Sequence, residues 1–158
     1  MDRRLQKAGL VPSDDRTHAH DVLGSITLSW YGSSFSAEVI FAGCSKYEPN
    51  ELQISAFCDL IARWDDVMHT MRDGILANWT QELAECGHEP EYDALCPSEP
   101  QLASRTELTG IIVSYMNGQE WCNYIGLLAE CSWSTEHGLG VKIVDGRIVE
   151  IGYQDIVI

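Results

Sequence analysis

Glu136 and His137 stand side by side in the stretch Trp133-Ser134-Thr135-Glu136-His137-Gly138-Leu139-Gly140-Val141, and a carboxylate beside an imidazole is a simple pairing for general acid–base work. Asp145 or Asp155 could act as the carboxylate that orients the imidazole. Neighbouring side chains on extended backbone point to opposite faces, however, so the pair would not converge on one substrate. A structural role accounts for the same residues. Gly138 and Gly140 supply backbone freedom in a strand-to-strand connection, while Glu136 and His137 hold its exposed polar groups. The spacing favours structure over catalysis. The sequence holds no Gly-rich phosphate loop, no Gly-x-Ser-x-Gly elbow and no His-Glu-x-x-His.

Six cysteines (Cys44, Cys58, Cys86, Cys96, Cys122 and Cys131) invite redox or metal readings. None is flanked by a basic residue that would lower its pKa. None forms a Cys-x-x-Cys pair, and the nearest approach to a ligand set is Cys86, His88 and Cys96, with His18 and His20 elsewhere. Met1-Asp2-Arg3-Arg4-Leu5-Gln6 leads into polar sequence rather than an apolar leader, so the expectation is a cytoplasmic protein with reduced thiols and neither metal nor cofactor.

The elements that would position these residues follow from periodicity. Residues 1–24 show no period and read as a loosely ordered arm, with residues 25–158 as one domain. Ile26, Leu28 and Trp30 alternate with polar residues, as do Phe35, Ala37, Val39 and Phe41 after Gly32-Ser33-Ser34, which predicts a β-hairpin. Pro49 marks a helix start, and Leu52, Ala56, Leu60 and Ile61 recur at helical spacing. Asp65-Asp66 breaks or recaps the chain before a second helix carrying Met68, Met71, Ile75, Trp79 and Leu83. Residues 86–105, with three prolines, read as a long loop. Strands follow over about 108–116, 123–133, 141–144 and 147–152, with Asn117-Gly118 and Asp145-Gly146 as hairpin turns. The expected fold is α+β: an antiparallel sheet of about six strands with a two-helix layer on one face.

Charge separates partner classes. Twenty-four Asp+Glu against ten Lys+Arg leave −14 on 158 residues, which repels nucleic acid and anionic membrane, and no apolar run reaches the ~20 residues of a membrane span. Between Glu48 and Glu107 stand thirteen acids against Arg63, Arg72 and Arg105. Two readings fit this excess: a solvated face that keeps the chain soluble, or a landing surface for a basic protein. On the second, Asp65, Asp66, Asp73, Glu82, Glu85, Glu89, Glu91 and Asp93 would make the contacts, with Tyr92 and Trp121 as aromatic anchors.

The pattern Trp133…Glu136-His137-Gly138-x-Gly140-Val141, then Asp145-Gly146, then Gly152 and Asp155, resembles the C-terminal signature of a bacterial domain family of unknown function. The resemblance covers roughly residues 25–158. It implies an α+β fold, a structural role for the signature and, for some members found near polymorphic toxins, an immunity role. The expected function is therefore neutralisation of a cognate basic toxin, such as a nuclease, by acidic occlusion. Two alternatives stand beside it. One is a small hydrolase-like enzyme using Glu136, His137 and Asp155. The other is an oligomeric scaffold, a homodimer among them, formed through the apolar run Ile151 to Ile158 as an edge strand.

Overall fold

The computed structural model describes residues 2–13, 22–44, 48–85, 99–115 and 123–158. Seven strands lie side by side in chain order: β1 (Val11–Pro12), β2 (Val22–Trp30), β3 (Ser33–Phe41), β4 (Thr106–Ser114), β5 (Tyr124–Cys131), β6 (Leu139–Val144) and β7 (Arg147–Gly152). The helices are α1 (Arg3–Lys7), α2 (Glu51–Ala62), α3 (Trp64–Glu85) and α4 (Glu99–Arg105), with a 3₁₀ turn over Gln154–Val157. The α+β class holds, but the sheet is mixed rather than antiparallel and has seven strands rather than about six. β3 and β4 run parallel, from Glu38 opposite Gly110 to Phe41 opposite Val113. The cause is the crossover: α2, α3 and α4 all lie between these two strands in the chain, and parallel neighbours need a long return of this kind.

The β2–β3 hairpin turns one residue earlier than Gly32-Ser33-Ser34 predicts. Tyr31 and Gly32 are its two central residues, both at positive φ (47° and 93°), as a two-residue turn requires. A left-handed tyrosine is unusual and needs holding. The Tyr31 hydroxyl donates to the Met68 carbonyl at 3.0 Å, and its ring packs edge-on against Trp30. Trp30, fully buried, donates its indole N–H to Thr106 Oγ1 at 2.7 Å, and that hydroxyl donates on to the Leu102 carbonyl. This chain ties the first hairpin to the α4–β4 junction.

α2 begins two residues after Pro49, at a capping box built on the N-cap Asn50. Asn50 Oδ1 accepts from Gln53 N and Gln53 Oε1 accepts from Asn50 N, both at 3.0 Å. Gln53 is 0% exposed, and its Nε2 donates to the Ala42 carbonyl (2.8 Å) and the Val113 carbonyl (3.1 Å). One neutral side chain thus joins the helix start to both strands of the parallel pair. The chain then breaks at Arg63 (φ −114°), and α3 presents Trp64, Val67, Met71, Ile75 and Trp79 to the core. Residues 99–105, expected as loop, form α4: Pro100 suits a first turn, and Leu102 is buried. The Cys-Gly-rich part of that expected loop, residues 86–98, lies outside the described residues, as does Asn117-Gly118.

Within the expected N-terminal arm, residues 3–7 are helical, with Asp2 as N-cap and Leu5 only 1% exposed. Leu5 and Leu10 supply the apolar contacts that an arm without periodicity conceals. Arg4 fixes the segment from outside, donating to Asp2 Oδ2 (2.9 Å) and Glu51 Oε2 (2.8 Å). These bonds hold the Asp2 carboxyl down at about 2 and keep Glu51 below the usual carboxylate range.

The sheet is covered on both faces near its C-terminal edge. Ile125, Leu127, Val141 and Ile143 face the helices, so Gly126 and Gly140 face the other way. There the 3₁₀ turn packs: a Cβ on Gly126 would meet Val157, and one on Gly140 would meet the Tyr153 carbonyl. Ile151 and Gly152 close β7, and the rest of the apolar C-terminal run folds back over β5 and β6 instead of extending the edge strand. Gln53→Ala should cost about 1–3 kcal/mol in urea unfolding, because it strands the Ala42 carbonyl and the Asn50 cap N–H, while the Val113 carbonyl keeps the Ala42 N–H. Gly140→Ala should cost about 1–3 kcal/mol through overpacking against backbone, whereas Gly152→Ala, whose Cβ meets only ordinary contacts with Ile156, should stay within about 0.5 kcal/mol.

Candidate functional site

The acids expected to make contacts divide by what holds them. Asp65 and Asp66 lie exposed in the first turn of α3, where the helix dipole favours negative charge, and neither carboxylate makes a hydrogen bond or ion pair among the described residues, though the Asp66 carbonyl accepts from Thr70 Oγ1 at 2.8 Å. Asp73 accepts from Arg72 Nε at 3.1 Å. Glu82 accepts the Tyr153 hydroxyl at 3.0 Å, and Glu85 accepts from Gln81 Nε2 at 2.8 Å. Glu89, Glu91, Tyr92, Asp93 and Trp121 lie outside the described residues. The acidity is also not confined to the helical half. Glu38, Glu107 and Glu130 are exposed on the opposite sheet face, with Glu107 directly across from Glu130.

Where α2 ends, a cleft of about 260 Å³ opens between that helix, Tyr115 and the β6–β7 turn. Its apolar wall comes from Leu52, Ala56, Leu60, Ile125 and Ile143; its polar groups are Ser55, Asp59, Arg63, Tyr115 and Asp145. The turn forms because Asp145 and Gly146 both take positive φ (49° and 72°), the geometry the Asp-Gly pair predicts. Asp59 and Arg63 are one helical turn apart, the spacing of a helix-surface ion pair, yet they make none. The Arg63 guanidinium lies over Gly146 instead, close enough that a Cβ there would collide with it. Tyr115 is placed by the α2 cap, since Asn50 Nδ2 donates to its carbonyl at 2.7 Å. Burial pushes the Tyr115 phenol up, and the Asp145 and Asp59 carboxylates push it further. A second, more open hollow of the α2–α3 junction, lined by Arg63, Trp64, Asp65 and Asp66 among others, adjoins the first at Arg63. In the sequence Arg63 stands only as one of three bases in an acidic stretch and Asp59 and Tyr115 are unmarked: Asp59 and Arg63 share helical spacing, but nothing local links them to Tyr115 or to the Asp-Gly turn.

The C-terminal signature is dispersed over packing positions. Trp133 stacks on Trp79 (4.7 Å, 9° between planes) and its indole N–H donates to Asn78 Oδ1 at 3.3 Å. Glu136 and His137 are exposed, the His137 ring lies 4.7 Å from that of Tyr153, and the His137 carbonyl accepts from Gln154 N. Gly138, at φ 60°, is buried beside the Gln154 amide, which donates to the Ala129 carbonyl. Asp155 is exposed in the 3₁₀ turn. Among the described residues no hydrogen bond or ion pair joins Glu136, His137 and Asp155.

Cys86, His88 and Cys96, with His18 and His20, fall outside the described residues, among which no three or more His, Cys, Asp or Glu are grouped for a metal. No described helix is long and apolar enough to cross a membrane. Cys44 and Cys131 are buried, and burial pushes the Cys131 thiol up to about 11. A thiol raised in the folded state favours folding below its unfolded pKa near 9, and that contribution disappears as pH rises from 9 towards 11. Urea midpoints at pH 8, 9.5 and 10.5 should therefore fall more steeply for the parent chain than for Cys131→Ala.

No curated protein and no solved structure matches the chain. A family model described as a domain of unknown function, DUF6985, matches residues 14–158, reaching from the residues ahead of β2 through the 3₁₀ turn and so taking in α2, α3 and α4, the clefts at Arg63 and the C-terminal signature. The chain belongs to the DUF6985 family.

Proposed function

We propose that this chain is an immunity-type protein, which binds a basic bacterial toxin and blocks it by occupying its cationic active site with carboxylates. One observation carries the reading. Asp59, Asp65, Asp66 and Asp145 surround two adjoining hollows at one end of the helix pair, and none of their carboxylates is bound to another described side chain. Structural acids in this molecule have partners: Asp2 and Glu51 share Arg4, Asp73 has Arg72, and Glu82 has Tyr153. The four at the Arg63 end are free to meet charge from outside. Their field would draw in a basic protein and orient it, while the apolar wall around Leu52, 49% exposed, supplies contact area. The resemblance of the C-terminal pattern to a family with some members near polymorphic toxins suggests the same reading, and a nuclease, whose active site is built to hold polyanions, suits the decoy best.

Co-expression with the product of the adjacent gene tests this reading directly. A complex that abolishes the neighbour's toxicity is expected, and a neighbour that neither binds nor is toxic sinks it. The association rate should fall roughly tenfold between 50 and 500 mM salt. Reversing Asp59, Asp65 and Asp66 together to lysine should weaken the complex at least tenfold and leave the melting temperature within about 2 °C of the parent.

A further inference from the structure

The cleft beside Arg63 has a composition that solubility does not require. Its floor is aliphatic, with the buried Leu60, Ile125 and Ile143, and its polar lining is two carboxylates, a phenol and the Ser55 hydroxyl, with the single guanidinium of Arg63 beside them. The geometry points to a binding site for one long cationic side chain, an arginine or lysine of the partner protein, with its methylene stem on the aliphatic floor and its head between Asp59 and Asp145. The inference rests on the toxin-binding reading above and names the contact that would anchor it.

Three features support that occupant. The volume, about 260 Å³, suits one extended side chain rather than a cofactor. Amphipathic side chains of this kind pack their stems on apolar surface and keep the charge at the rim, which matches the layering of the cleft. Most tellingly, Asp59 has a cation of its own one turn away and leaves it unused. Arg63 is drawn aside over Gly146, where the missing Cβ makes room for it, and the Asp59 carboxylate stays open to the cleft. Arg63 is then a like charge beside the incoming head, which it repels without pairing with either carboxylate.

The test is an amide NMR titration of the full chain with N-acetyl-arginine amide, with N-acetyl-norleucine amide and N-acetyl-glutamate as the uncharged and anionic counterparts. Shifts at Asp59, Tyr115, Asp145 and Gly146 with the arginine compound alone are expected. Asp59→Asn and Asp145→Asn should each weaken binding at least threefold, and asparagine suits the left-handed backbone at 145, so the turn survives. Arg63→Ala should strengthen it at least threefold. Preference for N-acetyl-glutamate with binding lost in Arg63→Ala would make this an anion site and overturn the inference, as would equal binding of the norleucine compound. Shifts centred on Glu38, Glu107 and Glu130 would overturn it too, as unspecific attraction to acid. The two proposals separate cleanly. A toxin complex indifferent to Asp59→Asn and Asp145→Asn, in a chain whose cleft ignores the arginine compound, removes the cleft and keeps the toxin reading. Arginine binding in the cleft without any complex with the neighbouring protein does the reverse.

Discussion

The buried amide of Gln53 is the constraint on which the helical layer depends. A neutral polar side chain with no access to water must satisfy both its N–H groups and its carbonyl oxygen, or the fold bears the desolvation cost. Here the oxygen takes the cap N–H of Asn50 and the Cys44 thiol, and the nitrogen takes the carbonyls of Ala42 and Val113. Those two carbonyls lie at one end of the parallel β3–β4 pair, where Ala42 N also donates to Val113 O. The position of α2 over the sheet is thereby set by three directional bonds as well as by the packing of Phe57 on Phe41. The same cap reaches Tyr115 through Asn50, so the wall of the Arg63 cleft is a consequence of how the helix starts.

A second constraint comes from the opposite sheet face. Strand positions that would ordinarily carry outward side chains hold Gly126 and Gly140, and their lack of a Cβ lets residues 153–157 lie close against β5 and β6. Tyr153 spans the edge, with its carbonyl over Gly140 and its hydroxyl on Glu82 of α3. The segment therefore clasps the β6–β7 corner from both sides, and Gln154 pins it to the Ala129 carbonyl. The Glu136-His137-Gly138 stretch sits beneath this clasp, with Gly138 at a backbone angle that favours glycine and Gln154 in the space a side chain would need. Packing is reason enough for those residue types.

Much of the fold was legible because it is local. The Asp145-Gly146 hairpin, the alternation around Trp30 and Val39, and the two helices with their break near residue 63 all follow from spacings within a few residues. What was illegible is what depends on long separation. Hairpin logic pairs each strand with its neighbour in sequence, so it extends the antiparallel rule to β3 and β4, which only the helical crossover makes parallel. A five-residue helix such as α1 is too short to display a period, and Leu5 gains its burial from a surface formed much later in the chain. The candidate site suffers most. Asp59, Arg63, Tyr115 and Asp145 come from a helix, a strand end and a turn, and the sign of their interaction is visible only once the fold brings them together.

The same geometry changes what the net charge of −14 means. An excess of acid destabilises a compact chain through self-repulsion, and each carboxylate is tolerable either by pairing or by staying well hydrated. Where this molecule needs a carboxylate for its own structure, it gives it a partner, as at Arg4, Arg72 and Tyr153. Across the other sheet face, Glu107 and Glu130 oppose one another without a cation between them, a placement that hydration alone can sustain. At the end of α2 hydration again sustains the exposed carboxylates, but a cation stands at helical spacing from Asp59 and lies over Gly146 instead, and Asp59 and Asp145 line a half-apolar hollow. Charge held back from an available internal partner is better suited to an external one, which makes this end of the helix pair, rather than the acid content of the chain as a whole, the feature that bears on function.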